Sequence, residues 1–209
     1  MKRFVRNASP DFWREREDAW LESAPRTSGK DAFRNRKYER RTLADWFHEL
    51  VRPDDHPRNC AYCDGPLGET SPPTIDHFIP EREAPTLGLS RENLYPACSS
   101  CNTTYKRDQW DVFLIRPEKL DEKWIEVEYD GELRPAPDLA PVAARYVRYT
   151  IEILGLNEPP RPRARARAWQ TVVNASRAGN HAFIEQLAAE GPYRLVVERF
   201  LASRSEASR

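Results

Sequence analysis

The pattern of apolar and polar positions predicts two helices in the first fifty residues. Ser9 suits the N-cap position and Pro10 the first helical position of a helix whose apolar residues follow at helical spacing. A second helix is predicted over 37–50, where the apolar residues recur three or four positions apart: Leu43, Trp46, Phe47 and Leu50. The prolines that follow exclude a helix interior. We therefore expect an N-terminal helical region over residues 1–59.

The spacing of apolar and polar positions changes twice after residue 111. Residues 123–135 alternate apolar and charged positions around Asp130-Gly131, which is typical of a β-hairpin. Residues 140–155 instead show helical spacing, and Gly155 suits the helix stop. The apolar stripe of this helix is predicted to consist of Val142, Tyr146, Tyr149 and Ile153.

The last third of the chain is predicted to be mainly helical. The proline- and arginine-rich segment 157–169 is interpreted as either a linker or a helix start. Two further helices are predicted over about 180–190 and 192–203. Residues 111–209 are therefore predicted to form a hairpin followed by a C-terminal helical region.

Residues 60–110 contain short segments and turn residues without a long periodic run. Two Cys-x-x-Cys pairs bracket this stretch and contain every cysteine of the chain: Cys60, Cys63, Cys98 and Cys101. Two such pairs provide the ligands of a tetrahedral structural zinc site. The alternatives are a thioredoxin-like redox pair and reduced core cysteines. The redox pair fits poorly because it requires a helix start within an α/β unit.

Composition and charge narrow the class of protein. The chain has 33 basic and 33 acidic residues, and its charged first twenty residues contain no signal peptide or membrane span. We therefore expect a cytoplasmic protein, in which four cysteines indicate metal binding rather than disulfides. Residues 111–160 contain 11 acidic and 6 basic side chains, whereas residues 161–209 contain 4 acidic and 9 basic side chains. A nucleic-acid binder needs a cationic surface, which the chain ends or a protein partner would have to supply.

Asp76 and His77 stand side by side within the loop that the cysteine pairs close. Taken alone, an Asp-His dipeptide is usually an ordinary polar pair. A phosphodiester hydrolase, however, needs a base to activate water and a hard cation to stabilise the charge that develops on the phosphate. A histidine base beside an aspartate metal ligand supplies both.

An ordered set of residues over about fifty positions resembles the HNH nucleases, whose fold is the ββα-metal motif. The set comprises Cys60, Cys63, Asp76, His77, Asn93, Leu94, Cys98, Cys101, Asn102 and Lys106. The resemblance implies that His77 is the general base, that Asp76 binds the catalytic divalent ion and that Asn93 fixes the loop that orients His77. Asn102 stands where the family has its final histidine, which makes this a His-Asn-Asn variant. Its amide oxygen can still bind a hard cation.

The resemblance implies an α+β protein in which a zinc-stapled HNH module over 60–110 lies between N-terminal helices and a C-terminal helical half. It further implies a metal-dependent endonuclease that hydrolyses phosphodiester bonds of DNA, with RNA as the alternative, and leaves 5′-phosphate ends. The implied cofactors are a structural Zn²⁺ and a catalytic Mg²⁺ or Mn²⁺. Lys106 is expected to contact a substrate phosphate.

Two other classes of protein remain open. One is a non-catalytic zinc module that binds nucleic acid or a protein partner, and the other is a zinc-dependent redox sensor. The zinc module has no need for Asp76, His77 and Asn102 together, so the complete set favours the enzyme.

A second resemblance extends beyond the module. Residues 101–110 and 150–169 are similar to the HNH subunits of Septu-type and retron-associated antiphage systems. This resemblance implies a defence effector that works with an ABC-like ATPase. Within the second segment, four arginines are interpreted as either a phosphate-binding strip or a solubilising helix face: Arg161, Arg163, Arg165 and Arg167.

Overall fold

The computed structural model describes residues 59–68 and 73–207, together with positions 4, 13, 14, 17, 37, 38, 40–42, 44, 45 and 47. Over these residues, two-stranded antiparallel sheets precede a set of C-terminal helices, which confirms the predicted α+β class. The strands are β1 (Lys37–Tyr38), β2 (Arg41–Thr42), β3 (Pro73–His77), β4 (Leu94–Cys98), β5 (Ile125–Val127) and β6 (Leu133–Pro135). The helices are α1 (Pro141–Ile153), α2 (Arg161–Arg177), α3 (His181–Glu190) and α4 (Arg194–Ala207).

The first predicted helix is described only at Trp13, Arg14 and Glu17, which are helical. Trp13 is buried, and its ring centroid lies 6.3 Å from that of Phe47. The proposed cap, Ser9, and the remainder of that segment lie outside the described residues.

The second predicted helix begins later than expected, because Lys37–Tyr38 and Arg41–Thr42 pair as the antiparallel strands β1 and β2. Arg40 has a φ of 67° in the turn of this hairpin. The hydroxyl of Thr42 accepts a hydrogen bond from the backbone N–H of Asp45, and the Asp45 carboxylate accepts one from the Thr42 N–H. This reciprocal cap marks the helix start, and its Thr-x-x-Asp signature is present in the sequence.

The central module has the ββα order that the resemblance implies. Strands β3 and β4 pair antiparallel, with Asp76 opposite Tyr95 and His77 opposite Leu94. A π-helical segment, Ser100–Lys106, follows β4 directly. The module thereby places Asp76 and His77 at the end of one strand and Asn102 on the adjoining helical segment.

The largest apolar cluster joins this module to the C-terminal half. It contains Tyr62 and Tyr95 from the module together with Leu133, Val147 and Leu195 from later elements. Burial of this shared surface fixes the module against the C-terminal elements, since apolar burial stabilises in proportion to area. The division of the chain at residues 110 and 111 stays a prediction.

The buried face of α1 differs from the predicted stripe. Val142 is 66% exposed, whereas Ala144, Val147 and Ile151 are buried. Tyr146, Tyr149 and Ile153 of the predicted stripe are partly buried and pack against the main core. Both tyrosines also make edge-to-face contacts with Phe113, with centroid distances of 5.2 and 6.2 Å. Helical spacing alone does not choose between two adjacent apolar stripes.

The hairpin of β5 and β6 forms as predicted, and the arginine-rich segment is a helix start rather than a linker. Gly131 has a φ of +85° in the hairpin turn, and a Cβ there would lie 2.0 Å from the carbonyl oxygen of Pro162. Helix α2 therefore packs directly on the turn. No helix among the described residues combines the length and apolar character needed to cross a membrane.

Candidate active site and metal centre

The four cysteines come together at the base of the module. Their sulfur atoms all lie within 4.8 Å of one another, and the sulfurs of Cys63 and Cys98 are 3.9 Å apart. Tetrahedral zinc with Zn–S bonds of about 2.3 Å places its sulfurs about 3.8 Å apart. The backbone N–H of Cys101 also points at the sulfur of Cys98, at 3.4 Å, as in a metal-binding knuckle.

The pKa values of the four thiols are shifted in opposite directions. Burial raises the pKa of Cys60, and hydrogen bonds from the other cysteines raise the pKa of Cys101. Hydrogen bonds from Cys101 lower the pKa values of Cys63 and Cys98. Zinc ligation requires all four sulfurs as thiolates, and in so buried a site a bound divalent cation would compensate most of that charge. The donor set and its spacing therefore fit a structural zinc ion.

Arginines from α2 and α4 contact the cysteine cluster and the neighbouring residue Asp64. The Arg161 guanidinium lies 3.4 Å from the sulfur of Cys101 and 4.6 Å from the centroid of the Tyr105 ring. The Asp64 carboxylate, just after the first knuckle, accepts a 2.6 Å hydrogen bond from the backbone N–H of Arg194 and pairs with its guanidinium at 3.3 Å. No motif in the sequence predicts these contacts, which join residues 56 to 130 positions apart.

Asp76 is placed in a buried ion pair. Its carboxylate is 3% exposed and lies 3.0 Å from the ammonium group of Lys106, which is completely buried. Lys106 also donates to the carbonyl oxygen of His77 at 2.7 Å, and the Tyr62 hydroxyl donates to Asp76. Burial raises the pKa of Asp76, and the charge of Lys106 opposes this shift. The expectation that Lys106 contacts a substrate phosphate is therefore wrong for this arrangement, because Lys106 is buried and bonded within the module.

Replacing Lys106 with methionine should destabilise the protein by about 3–5 kcal/mol, because the Asp76 carboxylate loses its buried counter-charge. Urea unfolding of the zinc-loaded chain measures this loss. Lys119→Met, at an exposed position, is the matched control and should change the stability little. Adding Asp76→Asn to Lys106→Met should restore part of the loss. Equal stability of Lys106→Met and the parent would show that the pair contributes nothing.

His77 is oriented by a backbone carbonyl. Its Nε2 lies 2.8 Å from the carbonyl oxygen of Gly88. Because a carbonyl oxygen only accepts hydrogen bonds, Nε2 carries the proton, and Nδ1 is the basic nitrogen of the neutral ring. This arrangement selects the tautomer that a general base requires.

Asn93 holds the loop that carries Gly88. It is buried, and its side chain accepts from the N–H of Ile79 at 2.8 Å and donates to the carbonyl oxygen of Ile79 at 2.9 Å. A further hydrogen bond reaches the Leu87 carbonyl oxygen at 3.3 Å, one residue before Gly88. The contacts match the loop-fixing position that the resemblance implies for Asn93.

Asn102 faces β3 with its amide nitrogen. The NH₂ group donates to the Thr74 hydroxyl at 3.1 Å and to the Ile75 carbonyl oxygen at 3.2 Å, which fixes the orientation of the amide. Its side-chain oxygen, Oδ1, accepts no hydrogen bond from the described residues, whereas its backbone carbonyl oxygen accepts one from the N–H of Arg107 at 2.7 Å. Asp76, His77 and Asn102 all line one cleft of 610 Å³, together with Arg82 and Arg107. Three of the residues predicted from the sequence thus share a single cleft, whereas Asn93 and Lys106 do not line it.

Two residues that contact the site carry no signal in the sequence. Tyr62 lies inside the first Cys-x-x-Cys pair and Gly88 in a loop, and each makes its contact only through the fold. Glu92, a charged residue next to Asn93, is exposed and does not line the cleft.

The comparisons with known proteins agree with this geometry. Residues 60–108 match the family model described as HNH endonuclease, and the match covers less than a quarter of the chain. A comparison with curated proteins finds no match. The matched domain indicates nuclease activity, a nucleic-acid substrate and a divalent metal in general.

Proposed function

We propose that this protein is a metal-dependent endonuclease that cleaves DNA, with RNA as the alternative substrate, at the cleft of its HNH domain. The observation that carries the proposal is the convergence of a tautomerically fixed His77 with Asp76 and Asn102 in one cleft. A zinc-binding module without catalysis would need the four cysteines alone.

The chain supplies general-base catalysis through His77. With Nε2–H held by Gly88, Nδ1 accepts a proton from the attacking water. Asn93 keeps the Gly88 loop in place, so the ring does not have to be ordered at the moment of reaction. Arg107, which lines the cleft and has no ion pair among the described residues, offers positive charge to a phosphate.

Asp76 and Asn102 are the residues that would hold the catalytic ion. An ionised carboxylate has about four lone-pair positions, and the contacts from Lys106 and Tyr62 use three of them. One remains for a cation, and the amide oxygen of Asn102 supplies a second oxygen ligand. Two oxygen ligands suit Mg²⁺ or Mn²⁺ in kind. A divalent ion there supplies electrophilic stabilisation of the phosphate and of the leaving oxygen.

The direct test is a cleavage assay of the zinc-loaded protein on short duplex DNA, single-stranded DNA and RNA, with added Mg²⁺ or Mn²⁺. We expect metal-dependent cutting that stops under mild chelation while the four-thiolate zinc remains bound, since thiolates hold zinc more tightly than oxygens hold magnesium. Products should carry 5′-phosphates. Absence of cutting of all three substrates with either metal would contradict the proposal.

Asn102→Ala should reduce cleavage by about 100-fold or more with every metal, because losing a ligand weakens a contribution of several kcal/mol. Asn102→His should retain activity and gain a response to Ni²⁺ or Co²⁺, which imidazole suits better than an amide oxygen. A metal titration of cleavage by the three proteins, with bound zinc measured in each, checks both results.

The control for Asn102 is Thr74→Val. This substitution removes a hydrogen-bond partner of the amide but keeps the amide oxygen. Thr74→Val should therefore lose far less activity than Asn102→Ala. If Asn102→Ala cuts like the parent in Mg²⁺, Asn102 is not a ligand.

The proposed biological role is that of an effector in an antiphage defence system, acting in the cytoplasm with an ABC-like ATPase partner. It is supported by the resemblance of residues 101–110 and 150–169 to HNH subunits of such systems. The acidic excess over 111–160 also favours a partner that supplies positive charge or presents the substrate. A neighbouring gene that encodes an ATPase or a reverse transcriptase would support this role.

A further inference from the structure

Helix α2 separates its arginines into two groups. Its sequence contains five arginines and no carboxylate. Arg161 and Arg165 are buried, where they bond to the Gly155 and Gly131 carbonyl oxygens, so they act in packing. The others, Arg163, Arg167 and Arg177, are exposed.

The exposed group lies along one side of the helix. At 100° per residue, Arg163, Arg167 and Arg177 fall within an arc of about 80°. Gln170 and Asn174, which are also exposed, fill the positions between them. We refer to these five residues as the α2 stripe. At about 1.5 Å per residue, it is about 21 Å long.

The arginines of the α2 stripe have no counter-ions among the described residues. Two other exposed arginines are paired: Arg82 pairs with Glu83 and Asp108, and Arg134 pairs with Glu128 and Glu132. Uncompensated arginines separated by neutral polar side chains complement a polyanion with regularly spaced charges. Each DNA strand carries a phosphate per about 3.4 Å of axis, so the stripe matches the length of about six base pairs.

The N-terminal end of α2 contacts the active-site segment through the buried face of the helix. Arg161, the first residue of α2, contacts the sulfur of Cys101 and the ring of Tyr105, which lie on either side of Asn102 in the chain. The exposed stripe therefore starts at the end of α2 whose opposite, buried face packs against the segment that carries Asn102.

We infer that the α2 stripe binds the sugar-phosphate backbone of the nucleic acid that is cut in the cleft. This inference rests on the proposed function and adds a second contact region outside the matched domain. It also gives the exposed arginines of α2 a role distinct from that of the buried pair. The basic C-terminal segment thereby supplies positive charge that the acidic middle of the chain lacks.

The test measures binding separately from cutting. The full zinc-loaded chain carries His77→Ala, and its affinity for a duplex DNA is followed by fluorescence anisotropy between about 50 and 200 mM salt. Adding Arg163→Gln, Arg167→Gln and Arg177→Gln together should weaken binding by about tenfold or more and reduce the salt slope by about 2.7, or 0.9 per lost phosphate contact. Arg167→Gln alone should reduce the slope by about 0.9. Arg134→Gln removes an equal charge that is already paired, and it should leave the slope unchanged.

The outcomes separate this inference from the proposed function. If the triple variant binds DNA like its parent while the protein with His77 cuts, the inference is wrong and the nuclease proposal stands. If the stripe substitutions weaken binding but the protein with His77 never cuts, the stripe stands and the nuclease proposal fails. Equal loss for Arg134→Gln and Arg167→Gln would show a general charge effect and overturn the inference. The inference would also be overturned if poly-glutamate competed as strongly as DNA of equal charge, because that result would indicate an acidic protein partner.

Discussion

His77→Ala should abolish detectable cleavage and leave the zinc content and melting temperature close to those of the parent. Removing the general base costs about 10²–10⁴-fold in rate. The side chain is only partly buried, and its hydrogen bond to Gly88 orients the ring without contributing to the main core. Single-turnover cleavage with saturating Mg²⁺ or Mn²⁺, together with zinc analysis and thermal melting, checks this result.

The matched control is His181→Ala, since His181 is exposed at the start of α3, outside the cleft. It should cut at the parent rate. A His77→Ala protein that cuts at the parent rate would exclude the general-base assignment. An unfolded His77→Ala protein would show that His77 is needed for the structure rather than for the reaction alone.

Cys98→Ser should have the opposite signature, with loss of zinc and loss of the folded module. Structural zinc sites contribute folding free energy outright, so we expect unfolding to become easier by more than about 4 kcal/mol. Cleavage should disappear with the fold, because Asp76 and His77 lie on the strand that pairs with the strand ending at Cys98. Zinc analysis and urea unfolding measure both effects.

Ser100→Ala provides the control for Cys98→Ser, because Ser100 is exposed two residues away. It should keep its zinc and its stability. Full zinc occupancy and parent-like stability in Cys98→Ser would show that the cysteine cluster is not a zinc site. Comparison of His77→Ala with Cys98→Ser separates the reaction from the fold. His77→Ala is expected to remove proton transfer, and Cys98→Ser is expected to remove the zinc that stabilises the module.

The cysteine framework and the Asp-His pair were accessible from the sequence because both are local. Two pairs with a two-residue spacer place two sulfurs on one ion whatever the rest of the chain does. The hairpin around Gly131 was likewise predictable, since its turn requires a positive φ that glycine adopts easily. Helical spacing alone predicts the second helix from residue 37, whereas the reciprocal hydrogen bonds between Thr42 and Asp45 mark its actual start.

Side-chain environments could not be read in the same way. Lys106 was expected at a phosphate, yet the packing of the π-helical segment against β3 buries it beside Asp76. The predicted stripe of α1 includes Val142, which is exposed, whereas Val147 and Ile151 are buried. Burial depends on which surfaces meet, and helical periodicity contains no information about the partner surface.

The sequence by itself determined the four-cysteine framework, the candidate base and metal ligands, and most of the order of helical and extended segments, because residue chemistry and short spacings define each of them. Only the tertiary structure decided that Asp76 is paired with Lys106, that Gly88 selects the His77 tautomer and that α2 divides its arginines between core and surface. These features depend on contacts between residues distant in the chain, such as the 130 positions from Asp64 to Arg194. Such contacts form only when the shared core brings separate elements together.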